Sequence, residues 1–272
     1  MNLRRLAAAL CVLSFALVLA GGTVTSTGSG DDVPTWPFPI AAFGIEMTHR
    51  HVAGLVGILT LVLAGAMLIE ERRAWVRRLG VAAAILVLAQ AGLGGARVLW
   101  GPSAGTSAEL AVVHAVIAQI FFCLTVLLAL FTRPGWDRLP KRQPVAVMTL
   151  AILLVQLILG AVVRHTGSLT WVHGLWAAVV VASVLRTAAR LPFSPAVGWL
   201  LALTFAQAFL GMGVALAQEV APGGVLPRAL GGTAHVGLGA LMLACAAVLS
   251  FRPREPEWIE AAPTPSLEAV GR

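Results

Sequence analysis

Apolar residues run through this chain in eight blocks of membrane-spanning length, separated by short polar stretches. The blocks fall near residues 6–22, 44–69, 79–99, 109–131, 145–163, 171–189, 195–218 and 229–251, and a helix needs about 20 largely apolar residues to cross a bilayer. The pattern predicts an all-α integral membrane protein with eight transmembrane helices. Little chain is left for a separate soluble domain.

Composition agrees. Of the 272 residues, 58% are hydrophobic and only 11% are charged, which excludes a disordered chain, a polar-surfaced globular enzyme and a nucleic-acid partner. Lys and Arg are retained on the cytoplasmic side of membrane proteins. Arg4 and Arg5, Arg72, Arg73, Arg77 and Arg78, Arg133, Arg138, Lys141 and Arg142, Arg186 and Arg190, and Arg252, Arg254 and Arg272 all fall on one face of an eight-span topology. Both termini are therefore expected in the cytoplasm, in a multi-pass protein of the cell inner (plasma) membrane. The net charge of +7 reads first as a topology signal. Arg50, Arg97, Arg164 and Arg228 are the exceptions, at outer ends of spans. Cys11, Cys123 and Cys245 all lie in apolar runs, which offers no disulfide framework and no CxxC metal motif. The first block resembles a cleavable signal peptide, but an internal repeat argues that it stays attached.

That repeat aligns GGTVTSTGS (21–29) with GAVVRHTGS (160–168), pairing span 1 with span 5. A second signal, Gln-x-x-Leu-Gly, recurs at 90–94, 156–160 and 207–211 in spans 3, 5 and 7. The even spans share something else, a histidine near the outer end: His49, His114, His173 and His235. Four spans intervene between equivalents, so the halves share one orientation, a parallel repeat. The expected architecture is two fused four-helix bundles, 1–140 and 141–255, with a cytoplasmic tail at 256–272 expected to be disordered. The first half carries a longer outer loop, 23–43, containing GDDVPTWPFP (30–39). The halves are related in fold but unequal in task.

Ionisable groups inside membrane spans are costly and mark functional candidates. Each histidine lies two to six residues inside its predicted span, so each half can aim two imidazoles at one depth. Zinc wants three or four protein ligands and a di-iron carboxylate site several glutamates, whereas here only Glu46-x-x-His49 is available. Heme brings four nitrogens and asks for one or two axial ligands, so paired histidine ligation of heme iron is the economical reading.

The residues around the histidines admit two readings each. Gly54, Gly57, Gly174, Gly232, Gly237 and Gly239 serve close helix packing or clear space for a porphyrin edge. The outer arginines snorkel to the interface, or pair with heme propionates; Arg50, Arg97 and Arg164 are the favoured partners and Arg228 is held loosely. Glu46 precedes His49 by three residues on adjoining positions of a helical face. It either orients that ligand, handles protons, or is an ordinary acid near a helix start. The second half has Thr170 in its place. His51 and His165 are not expected to be ligands.

Taken together, GGTVTSTGSG, the Pro-Trp-Pro loop, Glu46-Met-Thr-His49-Arg50 followed by AGLVG, the Gln-x-x-Leu-Gly repeats and the later His114, His173 and His235 resemble the heme A synthase family over roughly residues 18–250. The resemblance implies oxidation of the C8 methyl of heme O to a formyl group, giving heme A for cytochrome oxidase. It implies that His49 and His114 flank the substrate heme with Glu46 as catalytic carboxylate, and that His173 and His235 hold heme b. The partners implied are heme O, the heme O synthase that makes it, an electron-transfer partner and the lipid bilayer, with an oligomer left open. Many bacterial members carry an outer-loop cysteine pair; this chain has Val33 and its neighbours there instead, and no tyrosine at all. Two competitors remain: a di-heme b-type electron carrier that leaves its porphyrin unaltered, and a parallel-repeat transporter. The clustering of polar groups at one interface disfavours the second.

Overall fold

The computed structural model describes residues 2–31, 33, 35–36, 44–220 and 225–254. Eight helices long and apolar enough to cross a membrane make up nearly all of it. They are α1 (Leu3–Thr27), α2 (Ile45–Glu70), α3 (Ala74–Leu99), α4 (Ser107–Phe131), α5 (Pro144–Thr166), α6 (Thr170–Arg190), α7 (Pro195–Val220) and α8 (Val225–Leu249). All eight expected spans are present. Local chemistry sets their ends. Asn2 caps α1 by accepting from the Arg5 backbone N–H at 3.1 Å, and Pro144 starts α5 where a missing N–H costs nothing. The repeated Thr-Gly-Ser closes α1 and α5 in the same way. Gly28 and Gly167 take the left-handed conformation, φ 73° and 71°, that a helix terminus asks of its C-cap. The preceding Thr27 and Thr166 turn their hydroxyls back to Thr23 and Val162, 2.8 Å in each case.

The helices gather in two closed sets of four. In the first half α1 packs on α2, α2 on α3, α3 on α4 and α4 back on α1; in the second, α5, α6, α7 and α8 close a ring in the same order. The apolar cores follow this division. One cluster joins Leu10, Val56, Leu63, Met67, Phe121 and Leu128, and the other Leu153, Val184, Leu200 and Met242. The halves meet where α8 lies against α1 and α4, along a seam of Phe122, Ala240 and Ala244. Half of the apolar stretch of α8 is buried, 50% against 11% for α7, so α8 is the central helix. Large apolar side chains such as Ile58, Ile85 and Phe209 project outward, as they do when the solvent is lipid rather than water.

Each half is locked at the end away from the histidines. Arg73 pairs with Glu71 at 2.7 Å and donates to the carbonyls of Phe131 and Trp136, tying the α2–α3 turn to the end of α4. That guanidinium holds the Glu71 carboxyl below its usual range. In the second half, β1 (Lys141–Arg142) pairs antiparallel with β2 (Phe251–Arg252), and Gln143 donates to the carbonyls of Ser250 and Leu249.

Two expectations need correction. The outer loop does not begin at residue 23, because α1 continues to Thr27 and a turn of 3-10 helix follows at Ser29–Asp31. The histidines also do not share a distance from their helix starts: His173 stands three residues after Thr170, but His235 ten after Val225, since α8 begins farther out than its hydropathy suggests. Asp32, most of the Pro-Trp-Pro stretch and the tail at 256–272 lie outside the described residues, as does the side chain of Arg228.

Candidate functional site

Every one of the four imidazoles rests on a glycine of the helix before it. A methyl group built at Gly21 of α1 would stand 3.1 Å from Cε1 of His49, one at Gly94 of α3 3.6 Å from His114, one at Gly160 of α5 3.0 Å from His173, and one at Gly211 of α7 2.8 Å from His235. Three of these approaches are tighter than ordinary van der Waals contact, so the rings lie on bare backbone. The odd helices supply seats and the even helices supply imidazoles.

Glutamines of the same odd helices add a second contact. Gln90 donates from its amide to the backbone carbonyl of His114 at 2.9 Å, and Gln156 to that of His173 at 3.2 Å. Gln207 lies against Gly239, one turn past His235. The Gln-x-x-Leu-Gly repeat is therefore a device for placing histidines: its glutamine faces the ligand helix and its glycine admits the ring.

The four histidines are half-buried, yet Nδ1 of each is fully buried with no hydrogen-bond partner within the chain. A buried nitrogen left unpaired costs about 1–3 kcal/mol, and that cost is borne here at four equivalent positions. In the second half the rings of His173 and His235 lie 6.3 Å apart between centroids at an interplanar angle of 68°. Nε2 of His173 lies 3.4 Å from the side-chain amide nitrogen of Gln156, and two imidazoles this close could hold one metal ion between them. Among the described residues no three His, Cys, Asp or Glu come together. A donor set of two imidazoles suits a tetrapyrrole, which brings the remaining ligands itself. His49 and His114 act on each other electrostatically but make no ring contact of this kind among the described residues.

Glu46 is 5% exposed. It forms an ion pair with Arg50, one helical turn on, and its other oxygen accepts from the Val33 backbone N–H at 3.0 Å. Arg50 also donates to the carbonyls of Thr35 and Val33. Glu46 thus fastens the start of α2 to the described part of the outer connection, and of its three readings the one in which it orients His49 finds no bond to Nδ1 of that ring. Nearby, the indole of Trp36 lies against Gly95 and the Arg97 guanidinium against Gly30, so both contacts join α3 to residues that follow α1.

Among the favoured arginines, Arg50 adjoins His49 in the chain, Arg97 stands three residues past the seat Gly94, and Arg164 four past the seat Gly160. Arg164 has a further engagement that the sequence did not suggest. It donates to the Gly22 carbonyl at 2.7 Å, to Ser26 Oγ at 2.6 Å and to the Gly232 carbonyl at 3.4 Å, joining α5 to α1 and α8 across the two halves. The small residues singled out near the histidines mostly serve other neighbours. Gly57 and Gly174 border open space, Gly232 faces Arg164 and Ser26, and Gly237 faces Leu19. The seating glycines Gly21, Gly94, Gly160 and Gly211 were the ones to single out; three close the Gln-x-x-Leu-Gly repeat and the fourth aligns with Gly160.

Comparison with known proteins places this arrangement. Residues 38–173, which include Glu46, His49, His114 and His173, match the COX15-CtaA family model, described as cytochrome oxidase assembly protein. The chain is 31% identical over 168 residues to a heme A synthase of Exiguobacterium sp., covering 56% of this chain and 54% of that protein. It is 30% identical over 177 residues to the heme A synthase of Bacillus licheniformis, covering 57% of each. A third heme A synthase, from Alkalihalophilus pseudofirmus, is 37% identical over 100 residues, 32% of this chain and 33% of that protein. The chain thus aligns with little more than half the length of the first two of these curated relatives.

Proposed function

Because this chain belongs to the cytochrome oxidase assembly family that contains the heme A synthases, we propose that it oxidises the C8 methyl of heme O to a formyl group, yielding heme A. The observation that carries this reading is the set of four imidazoles, each seated on a glycine of the preceding helix. His49 and His114 hold the substrate, and His173 and His235 hold a resident heme b. The two bundles form a parallel repeat with both termini cytoplasmic, since the arginine-rich connections lie at the end away from the histidines. The membrane is the cell inner (plasma) membrane.

Heme b, when bound, supplies one-electron transfer to and from the first site. The chain's own residues do the rest. Gly21 and Gly94 fix the imidazole planes, and with them the orientation of the substrate ring. Glu46, carried on the same helical turn as His49, takes up the protons that leave as the methyl group is oxidised; Arg50 and the Val33 N–H keep it in place. Arg97 and Arg164 oppose the negative charge of propionates near the outer interface. Heme O synthase is the donor of the substrate, water supplies the formyl oxygen, and a separate electron-transfer partner accepts the four electrons that leave with four protons as –CH3 and H2O become –CHO.

Expression in a host that makes heme O, followed by extraction and chromatography of the hemes, tests the reading. Heme A or its hydroxymethyl precursor is expected with the wild-type chain, and heme O alone with Glu46→Gln. Heme O unchanged in both would leave a di-heme electron carrier and remove the enzyme.

A further inference from the structure

In three of the four histidine seats a glutamine stands four residues ahead of the glycine: Gln90 before Gly94, Gln156 before Gly160 and Gln207 before Gly211. At Gly21 that position is Leu17. The difference reaches the ligands. Gln90 and Gln156 bind the backbone carbonyls of His114 and His173 themselves, which resists withdrawal of the ligand helix at the residue that matters. Gln207 packs one turn from His235, with its side-chain amide against Gly239 of the same helix. Leu17 has no hydrogen to donate and packs into the apolar core of the first half.

The helix of His49 is held elsewhere. Its first turn is tied through Glu46 and Arg50 to the backbone of Val33 and Thr35, a loop anchorage rather than a bond to the neighbouring helix. A cleft of about 420 Å³ lined by Ala20, Thr23, Gly44, Ile45 and Thr48 runs along the same α1–α2 seam. Ala20 adjoins the seat Gly21 and Thr48 adjoins His49, so this depression borders the seat of His49.

We propose that His49 is the exchangeable axial ligand, left so by leucine at position 17, and that Gln90 and Gln156 are positioning residues that hold His114 and His173 in place. This rests on the assignment of the first pair to heme O. A site that takes in one heme and gives up another needs a ligand that leaves, whereas a site that keeps its heme needs two that stay.

Carbon monoxide binding to the dithionite-reduced holoprotein is the test, because the gas reaches the iron only after a histidine has moved away. The wild-type protein should show a fast phase from one heme and a slow phase from the other, and the fast phase should persist in His173→Ala, which lacks the second heme. Leu17→Gln should slow the fast phase about fivefold to tenfold, as one added hydrogen bond does, while the shorter amide of Leu17→Asn leaves it unchanged. Gln156→Leu should speed the slow phase and offers an independent readout if Leu17→Gln does not fold. Equal rates at the two hemes of the wild type, or no difference between Leu17→Gln and Leu17→Asn, would overturn the proposal. Purified protein that binds no heme at all would instead overturn the assignment of hemes to the histidine pairs.

Discussion

The two halves of the molecule use one scaffold with different degrees of restraint. In the second, α5 passes to α6 through a three-residue turn in which Leu169 itself adopts a positive φ of 63°, and His173 and His235 stand 6.3 Å apart. In the first, α1 and α2 are separated by a long connection, and the first turn of α2 is fastened to Val33 of that connection through Glu46 and Arg50. His114, the partner of His49, is out of ring contact. The two sets of four helices thus differ by a longer connection in the first and by Leu17 where the second has Gln156 ahead of the seating glycine.

The largest contrast between the halves should come from the ligands. His173→Ala and His235→Ala are expected to abolish the b-type spectrum of the reduced protein while the first site still accepts heme O. His49→Ala and His114→Ala should do the reverse. Pyridine hemochrome analysis reads both, and loss of both hemes from every variant would show that the sites are not separable.

A graded set comes next, because the seats differ in tightness. Alanine at Gly211 meets His235 at 2.8 Å, at Gly160 His173 at 3.0 Å, at Gly21 His49 at 3.1 Å and at Gly94 His114 at 3.6 Å. Overpacking costs about 1–3 kcal/mol, so heme occupancy should fall most for Gly211→Ala and least for Gly94→Ala. A uniform response would mean that the rings do not depend on their seats.

Arg164 tests the joint between the halves. Arg164→Met removes donors to Gly22, Ser26 and Gly232, and a loss of about 1.5–3 kcal/mol should appear as a lower thermal midpoint in detergent. Arg50→Met, confined to the first half, should lower heme O retention and leave heme b in place.

The smallest effect lies at the far end. The folded Glu71 carboxyl titrates lower than the unfolded one because Arg73 binds its charged form. Its contribution is therefore complete above the unfolded pKa and disappears as pH falls through the folded value. For a surface pair the amount is about 0.2–1 kcal/mol. The thermal midpoint should decline less steeply on acidification in Glu71→Gln than in wild type.

Much of this was legible in the chain. Hydropathy alone located eight helices to within a few residues, and the recurrence of histidine in alternate spans brought His49, His114, His173 and His235 to one end, because consecutive spans must alternate in direction. The Thr-Gly-Ser repeat was visible as a repeat, although its physical basis as a helix cap needed the backbone. Glu46 was legible as exceptional, but its partner was not. Residues three and four positions on are both neighbours on a helix, and only the folded loop decided for Arg50.

What the sequence determined by itself is whatever depends on local period and solvent: the number of spans, their approximate extent, and the end of the helices at which histidine collects. Which glycine lies beneath which ring, which glutamine reaches which carbonyl, and where Arg164 finds acceptors more than a hundred residues away were decided by tertiary structure alone. Helix packing in lipid is set by contact between complementary surfaces, and those surfaces exist only once the helices have been brought together.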